Sequence, residues 1–338
     1  MKRSLCLLLA PSLLIGLLGC GGSSSDTESS NGAAGSGGSS GTDAGTAGSG
    51  GGGSAGSGGG SAGSGSAGSG ATTAPVASSC DGSTVADITT ITLNGDSISV
   101  EGSGATVEGS KVTVTASGNY RITGTLNNGQ VRVNSTDDGL VRLLLKDANI
   151  TNTTNAPLYV VAAKDVLVQL EDGTQNKLTD GSSYVQEVAG EDEPNGALFS
   201  KADVEICGGG SLTVAGNYND GIASKDSLLI TGGTINVTAK DDGLRGKDDV
   251  TIAGGNITVN ATGDGVSSDN TEDAAKGFIL VQNGTLNVTA GGDGLAATTL
   301  ATITGGDLTI KSGGGSSAKI GTDASAKGIK GDTGVSIS

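Results

Sequence analysis

The chain has 338 residues, with 63 glycines, four tyrosines, two phenylalanines, no tryptophan and no histidine, and a formal charge of −16. This excludes a wide core filled by rings, excludes histidine acid–base and histidine–zinc chemistry, and excludes nucleic acid as a partner, since phosphates need a cationic surface. What remains is one elongated domain, a monomer whose narrow interior is lined by Val, Ile and Leu, carried on a long tether.

The chain opens with Lys2-Arg3, an apolar run over residues 5–18, and Leu17-Leu18-Gly19-Cys20. The run is too short to span a bilayer and reads as an export leader over residues 1–19. Its ending resembles the lipobox of bacterial lipoproteins, which implies cleavage before Cys20 and a diacylglycerol on the Cys20 thiol; the alternative is an ordinary leader with a chance cysteine. Gly21 and Gly22 follow, not Asp, so the next position gives no argument for inner-membrane retention. The expected location is the bacterial cell envelope, at the outer membrane or cell surface, with the membrane met through the lipid alone. Two cations leave with the leader, which takes the formal charge to −18. Residues 20–78 are dominated by Gly, Ser, Ala and Thr. Such a composition cannot offset the entropy of ordering, and a disordered linker with a reach on the order of 40 Å is expected.

The folded domain is expected over residues 79–338. With Cys6 lost and Cys20 lipidated, Cys80 and Cys207 remain, and a disulfide between them or two free thiols both stay open. Residues 88–115 hold short alternating segments broken at Asn94-Gly95, Gly102 and Gly109-Ser110. They read as an N-terminal β cap that covers an otherwise open strand edge. Strand-like segments follow at 121–126, 130–133, 140–145, 158–161 and 166–170, with turns at Asn128-Gly129, Asp138-Gly139 and Asp172-Gly173. Residues 180–195 form an acidic excursion with Glu187, Glu191, Asp192 and Glu193, ended by Pro194 and expected to project as a loop.

Residues 219–311 then repeat one plan of strand, Gly-Gly or Asn-Gly, strand, Asp-Gly. Gly232-Gly233, Gly254-Gly255, Asn283-Gly284 and Gly305-Gly306 are spaced 22, 29 and 22, while Asp220-Gly221, Asp242-Gly243, Asp264-Gly265 and Asp293-Gly294 are spaced 22, 22 and 29. One seven-residue insertion accounts for both long intervals. Equivalent apolar residues fall into columns, among them Leu228, Val250, Ile279 and Ala301; Ile235, Ile257, Leu286 and Leu308; and Ile222, Leu244, Val266 and Leu295. The fold expected is all-β, a parallel β-helix or solenoid of about 22 residues per coil, rising roughly 4.8 Å per coil. The last residues, 335–338, align with 228–231 and start another coil, so an incomplete C-terminus is expected.

The stretches Asn217-Tyr218-Asn219-Asp220-Gly221-Ile222-Ala223-Ser224-Lys225-Asp226, Asp241-Asp242-Gly243-Leu244-Arg245-Gly246-Lys247-Asp248 and Asn195-Gly196-Ala197-Leu198-Phe199-Ser200-Lys201 resemble a family of bacterial surface carbohydrate-binding proteins. These are right-handed parallel β-helices similar in fold to polysaccharide lyases. The resemblance runs from residue 84 to the end; Asp269, Thr298 and Thr299 depart from it. It implies Ca²⁺ binding and attachment to cellulose and acidic sugars such as polygalacturonate, without established cleavage.

Two rows could carry that chemistry. Asp220, Asp242, Asp264 and Asp293 stack, with Asn219 and Asp241 beside them. Carboxylates about 5 Å apart repel by roughly 0.8 kcal/mol in water and about 3 at an effective dielectric of 20, so the row invites a hard, oxygen-seeking cation such as Ca²⁺. The alternative is turn chemistry, with Gly at positive φ and Asp bonding its local backbone. Lys201, Lys225 and Lys247 form the second row, with Arg245 and the exposed ring of Tyr218 nearby as sugar contacts. Its alternative is a solvated row of ion pairs. The reading that results is non-catalytic binding of an extracellular polysaccharide, acidic favoured over cellulose because few rings exist to stack on. A Ca²⁺-dependent uronate lyase, with Lys225, Lys247 or Arg245 as base, is one alternative. A passive adhesin or spacer is another.

Overall fold

A computed structural model describes Cys80 and residues 85–188, 190–319, 321 and 325–338. The leader, Cys20 and the linker up to residue 78 lie outside the described residues. Among the described residues there are 27 β-strands and no helix. The strands form a 17-stranded sheet and a 10-stranded sheet, and almost every pairing is parallel. This is consistent with a β-helix.

The register shows how the repeat works. In the larger sheet Leu228 pairs with Val250, 22 residues on. Val250 pairs with Ile279, 29 residues on, across the insertion. Ile279 then pairs with Ala301, and Ala301 with Val335. A second array in the same sheet aligns Ile235, Ile257, Leu286 and Leu308. The smaller sheet aligns Ile222, Leu244, Val266, Leu295 and Ile329. The alternating burial of strands such as Thr234–Ala239 puts Ile235 and Val237 inside and Thr and Asn outside. The columns join into one continuous core, and each fully buried Ile, Val or Leu contributes roughly 1.5–3 kcal/mol.

The two arrays count as one sheet because the early strands are long. Ile88–Gly95, Gly118–Leu126 and Leu140–Thr151 run through the corner that later coils break with a turn. The corner leaves a register shift between Thr123 and Gly124. In later coils the corner is made by Gly233, Gly255, Gly284 and Gly306, each with φ close to +90°. Only glycine holds that conformation without strain. A strand over Gln175–Thr179, unmarked by the sequence pattern, completes the early part of the second array.

At the N-terminal end the outermost strands are antiparallel: Ser97–Glu101 against Ile88–Gly95, and Ala105–Glu108 against Lys111–Val114. Tyr120 lies buried there, its hydroxyl donating to the carbonyls of Gly104 and Ala116. A disulfide joins Cys80 to Cys207, with Cα atoms 6.1 Å apart, tying the first described residue to the larger sheet.

Candidate functional site

The turn that feeds the smaller sheet carries the aspartate row. Asp242 N–H donates to Asp220 Oδ1 at 3.2 Å, Asp264 N–H to Asp242 Oδ1 at 2.7 Å, and Asp293 N–H to Asp264 Oδ1 at 2.6 Å. At the end of the row Asp293 accepts from Lys327 N–H and from the Ser325 hydroxyl. Each carboxylate therefore reaches across to the next coil instead of bonding its own turn. The glycines beside them are also not the positive-φ residues that turn chemistry would ask for; Gly221, Gly243, Gly265 and Gly294 all lie outside that region. Their reason is space. A Cβ on Gly221 would sit 2.2 Å from Val237 Cγ1, and one on Gly243 would sit 2.1 Å from Val259 Cγ1. Asp-Gly is thus one unit of the stack: Asp hydrogen-bonds up the axis, and Gly makes room for the neighbouring column.

Stacking these carboxylates in a buried turn changes their acidity. Burial, then the neighbouring Asp242 charge, pushes Asp220 up to about 7 against the pull of Arg245. Burial likewise pushes Asp242 up to about 6, and Asp264 is raised by the same cause. Asp220 Oδ2 is buried without a hydrogen-bond donor, 3.6 Å from Arg245 Nη1. Asn195 Oδ1 is a second buried oxygen without a donor, and Asn195 lies beside Asp220, whose N–H it accepts on its carbonyl. Oxygens of this kind suit a hard cation. Among the described residues, however, no three acidic or cysteine side chains converge. Asp242, Asp264 and Asp293 are arrayed along the axis, Asp241 lies beside Asp242 at the same turn, and Asn219 accepts Asp241 N–H on its carbonyl.

The second row sits one strand further round. Lys201, Lys225 and Lys247 stack in sequence, Lys225 N–H donating to the Ser200 carbonyl and Lys247 N–H to that of Ser224. Asp269 follows Lys247 in the column. None of these cations points freely into solvent. Glu193 reaches them from the acidic excursion, Oε2 lying 2.9 Å from Lys201 Nζ and Oε1 2.6 Å from Lys225 Nζ. Arg245 Nη2 is 2.6 Å from Asp269 Oδ2, and Lys247 Nζ is 3.5 Å from the exposed Glu272. Lys276 caps Asp248 at 2.6 Å.

The excursion therefore does not project; it folds back over the outer face of the smaller sheet. Arg132 pairs with Glu187 and lies over the Tyr159 ring, 5.2 Å from its centroid. Tyr159 meets Phe199 edge-on at 5.7 Å, and both are buried with Ala156 and Ala223 in a small apolar cluster against which the half-buried Tyr184 packs. Tyr184 stacks on Tyr218 at 4.2 Å and donates to Asp180 and to the Gly196 carbonyl. Tyr184 thus covers one face of the half-buried Tyr218 ring.

The sequence pattern does not mark Glu193, Glu272 or Asn195 as site residues. Asn195-Gly196 did carry a signal, since Gly196 pairs with Asp220 and so extends the same turn one coil earlier. The partners of the lysines carried none, because no period links a loop carboxylate to the row it reaches.

Residues 108–338 match the family described as carbohydrate-binding domain-containing protein. A carbohydrate-binding domain-containing protein of Acetivibrio thermocellus is 51% identical over 164 residues, which cover 48% of this chain and 57% of that protein. The chain thus spans little more than half the length of that relative. Among solved structures, the polysaccharide lyase-like protein from C. thermocellum, in a gadolinium derivative, superposes with a TM-score of 0.69 at 34% identity, covering 74% of this chain and 96% of that one.

Proposed function

The chain belongs to the family of carbohydrate-binding domain-containing proteins, and from that premise we propose that it binds an extracellular acidic polysaccharide without cleaving it, along the lysine row and the adjoining aspartate turn. The observation that carries the acidic preference is the grip of Lys201 and Lys225 on a single carboxylate, one oxygen each, from neighbouring coils. Charge-assisted hydrogen bonds of this kind discriminate a uronate from a neutral sugar. Cellulose asks instead for a row of exposed rings, whereas Tyr159 and Phe199 are buried and Tyr184 and Tyr218 are half-buried against each other.

Ca²⁺ belongs to the same proposal as a shared ion. Asp220 Oδ2 and Asn195 Oδ1 supply buried oxygens without donors, and the ligand's own carboxylates would complete the shell. The similar C. thermocellum structure is a gadolinium derivative, and that ion, like Ca²⁺, is hard and takes oxygen ligands. We read the winding as the right-handed parallel β-helix of about 22 residues per coil, and Cys20 and its linker as the anchor that holds this face off the cell envelope.

A lyase would need one of the cations to act as a neutral base. Lys225 is instead tied to Glu193. Burial would lower Arg245, yet its hydrogen bond to Asp269 and the charges of Asp269, Asp220 and Asp242 hold it above its ordinary value. The test is retention on insoluble polygalacturonate and on cellulose, in Ca²⁺ and in chelator. Retention on polygalacturonate that chelator weakens, with no ultraviolet-absorbing unsaturated product, is expected. Retention on cellulose alone, unmoved by chelator, overturns the acidic assignment.

A further inference from the structure

We propose that Glu193 is a built-in occupant of the carboxylate subsite, so that an acidic polymer binds the Lys201–Lys225 pair by displacing the chain's own side chain. The inference rests on the acidic-polysaccharide reading above and adds to it a competitor.

The geometry is that of a filled ligand site. Two ammonium groups on consecutive coils converge on one carboxylate, at 2.9 and 2.6 Å, with one oxygen assigned to each. Both lysines are about one-third exposed, at 33% and 35%, and Glu193 is 20% exposed. The subsite is therefore open to solvent at its edge and is not sealed in the core. The carboxylate enters from a loop, not from a coil. It belongs to the segment that also pairs Glu187 with Arg132 and stacks Tyr184 on Tyr218, so release of Glu193 alone leaves the segment fastened at its other contacts. On its N-terminal side Val188, Glu191 and Asp192 are exposed, while Val185 N–H donates to the Thr154 carbonyl and Gln186 Nε2 to the Pro194 carbonyl, so the backbone on either side of Glu193 stays held when its carboxylate alone is released.

The electrostatics agree. Burial alone would raise Glu193, but the hydrogen bonds from Lys225 and Lys201 outweigh it and hold the carboxyl below its ordinary value. It therefore occupies the pair as an anion across the neutral range, which is the form a uronate presents. The next cation in the row is held far less firmly: Lys247 meets Glu272 at 3.5 Å, and Glu272 is 79% exposed. A polymer laid along the row would find Lys247 the most loosely paired and then compete with Glu193 for the next two lysines. A site filled by its own competitor has an apparent affinity reduced by the fraction of time it stands open.

The experiment is binding of soluble polygalacturonate to the full chain at fixed low salt and fixed Ca²⁺, with a neutral glucan as control. Wild type, Glu193→Gln, Glu193→Asp and the double variant Glu193→Gln with Lys225→Met are compared, each checked for its thermal transition. Glu193→Gln is expected to tighten polygalacturonate about tenfold, the gain from opening a subsite vacant about a tenth of the time. Glu193→Asp, too short to reach both lysines, should fall between, and the double variant should bind no better than wild type. The neutral glucan should not respond. Wild-type binding that Glu193→Gln leaves unchanged or weakens, with its transition intact, overturns the competitor and leaves the acidic reading standing. If Glu193→Gln disturbs the transition, Glu193→Asp decides in the same way. No polygalacturonate binding by any of the four overturns both.

Discussion

The aspartate row and the lysine row run side by side up the same coils, yet they are held by different forces. Each aspartate is wired into the backbone: Asp242, Asp264 and Asp293 donate their N–H groups to the carboxylate one coil below. The lysine backbones also bond from coil to coil, but among the described residues their ammonium groups are met by side chains from two loops, Glu193 in one and Glu272 in the other. The carboxylates of the first row are part of what stacks the coils, whereas the ion pairs of the second tie loops to coils. Altering the first should therefore register as stability, and altering the second as binding.

The largest expected effect comes from the charge stored in the first row. Asp220 and Asp242 ionise only near 7 and 6 in the folded chain, against about 3.9 when unfolded. A raised carboxyl means that the folded state retains protons that the unfolded state has already lost. Stability should therefore fall as pH rises from about 4 through about 7 and level off above. For Asp220 the shift corresponds to on the order of 4 kcal/mol, in the absence of a bound cation. Urea midpoints at several pH values in chelator measure it. Asp220→Asn should flatten the slope, and Ca²⁺ should restore part of the loss at pH 8. A pH-independent midpoint would mean that the carboxylates are not confined as described. The glycine partner comes next. Gly243→Ala places a methyl 2.1 Å from Val259 Cγ1 and should cost about 3 kcal/mol. Adding Val259→Ala should recover part of it, whereas a strained-φ explanation predicts no such coupling.

These same residues mark what could be read from sequence and what could not. The columns of Leu228, Ile235 and Ile222 were legible because a period of 22 must put like residues on one another, and the register obeys it. The aspartate row was legible as a row for the same reason. Its hydrogen bonding was not: Asp-Gly looks like local turn chemistry until the next coil is present to supply the N–H. The early strands were harder, since Leu140–Thr151 runs straight through a corner that later coils mark with glycine. Least legible was the excursion. Its acidic composition said exposed loop, but Tyr184 finds Tyr218 and Glu193 finds two lysines only in three dimensions. Repetition announces every contact made between equivalent positions and is silent about contacts made by residues that occur once.

A smaller effect separates hydrogen bonding from charge within the first row. Asp264→Ala removes the acceptor for Asp293 N–H and should cost about 2 kcal/mol, the penalty for a buried donor left alone. Asp264→Asn keeps a carbonyl oxygen in place and removes the repulsion from Asp293, which contributes to the raised Asp264 value. It should be neutral or slightly stabilising above pH 7. Equal losses for the two variants would show that charge, not the hydrogen bond, joins the coils.

The smallest effect on folding should be that of Lys225→Met. The Lys225–Glu193 pair is about one-third exposed on the lysine side, where solvent screening leaves an ion pair worth less than about 1 kcal/mol, and the methionine keeps the apolar stem. Its thermal transition should therefore move little, while retention on an acidic polysaccharide falls and depends less on salt. That division is what an exchangeable row requires. A variant that lost stability as Gly243→Ala does, yet bound acidic polymer as well as wild type, would place Lys225 with the aspartates as part of the stack and leave the sugar to be held elsewhere.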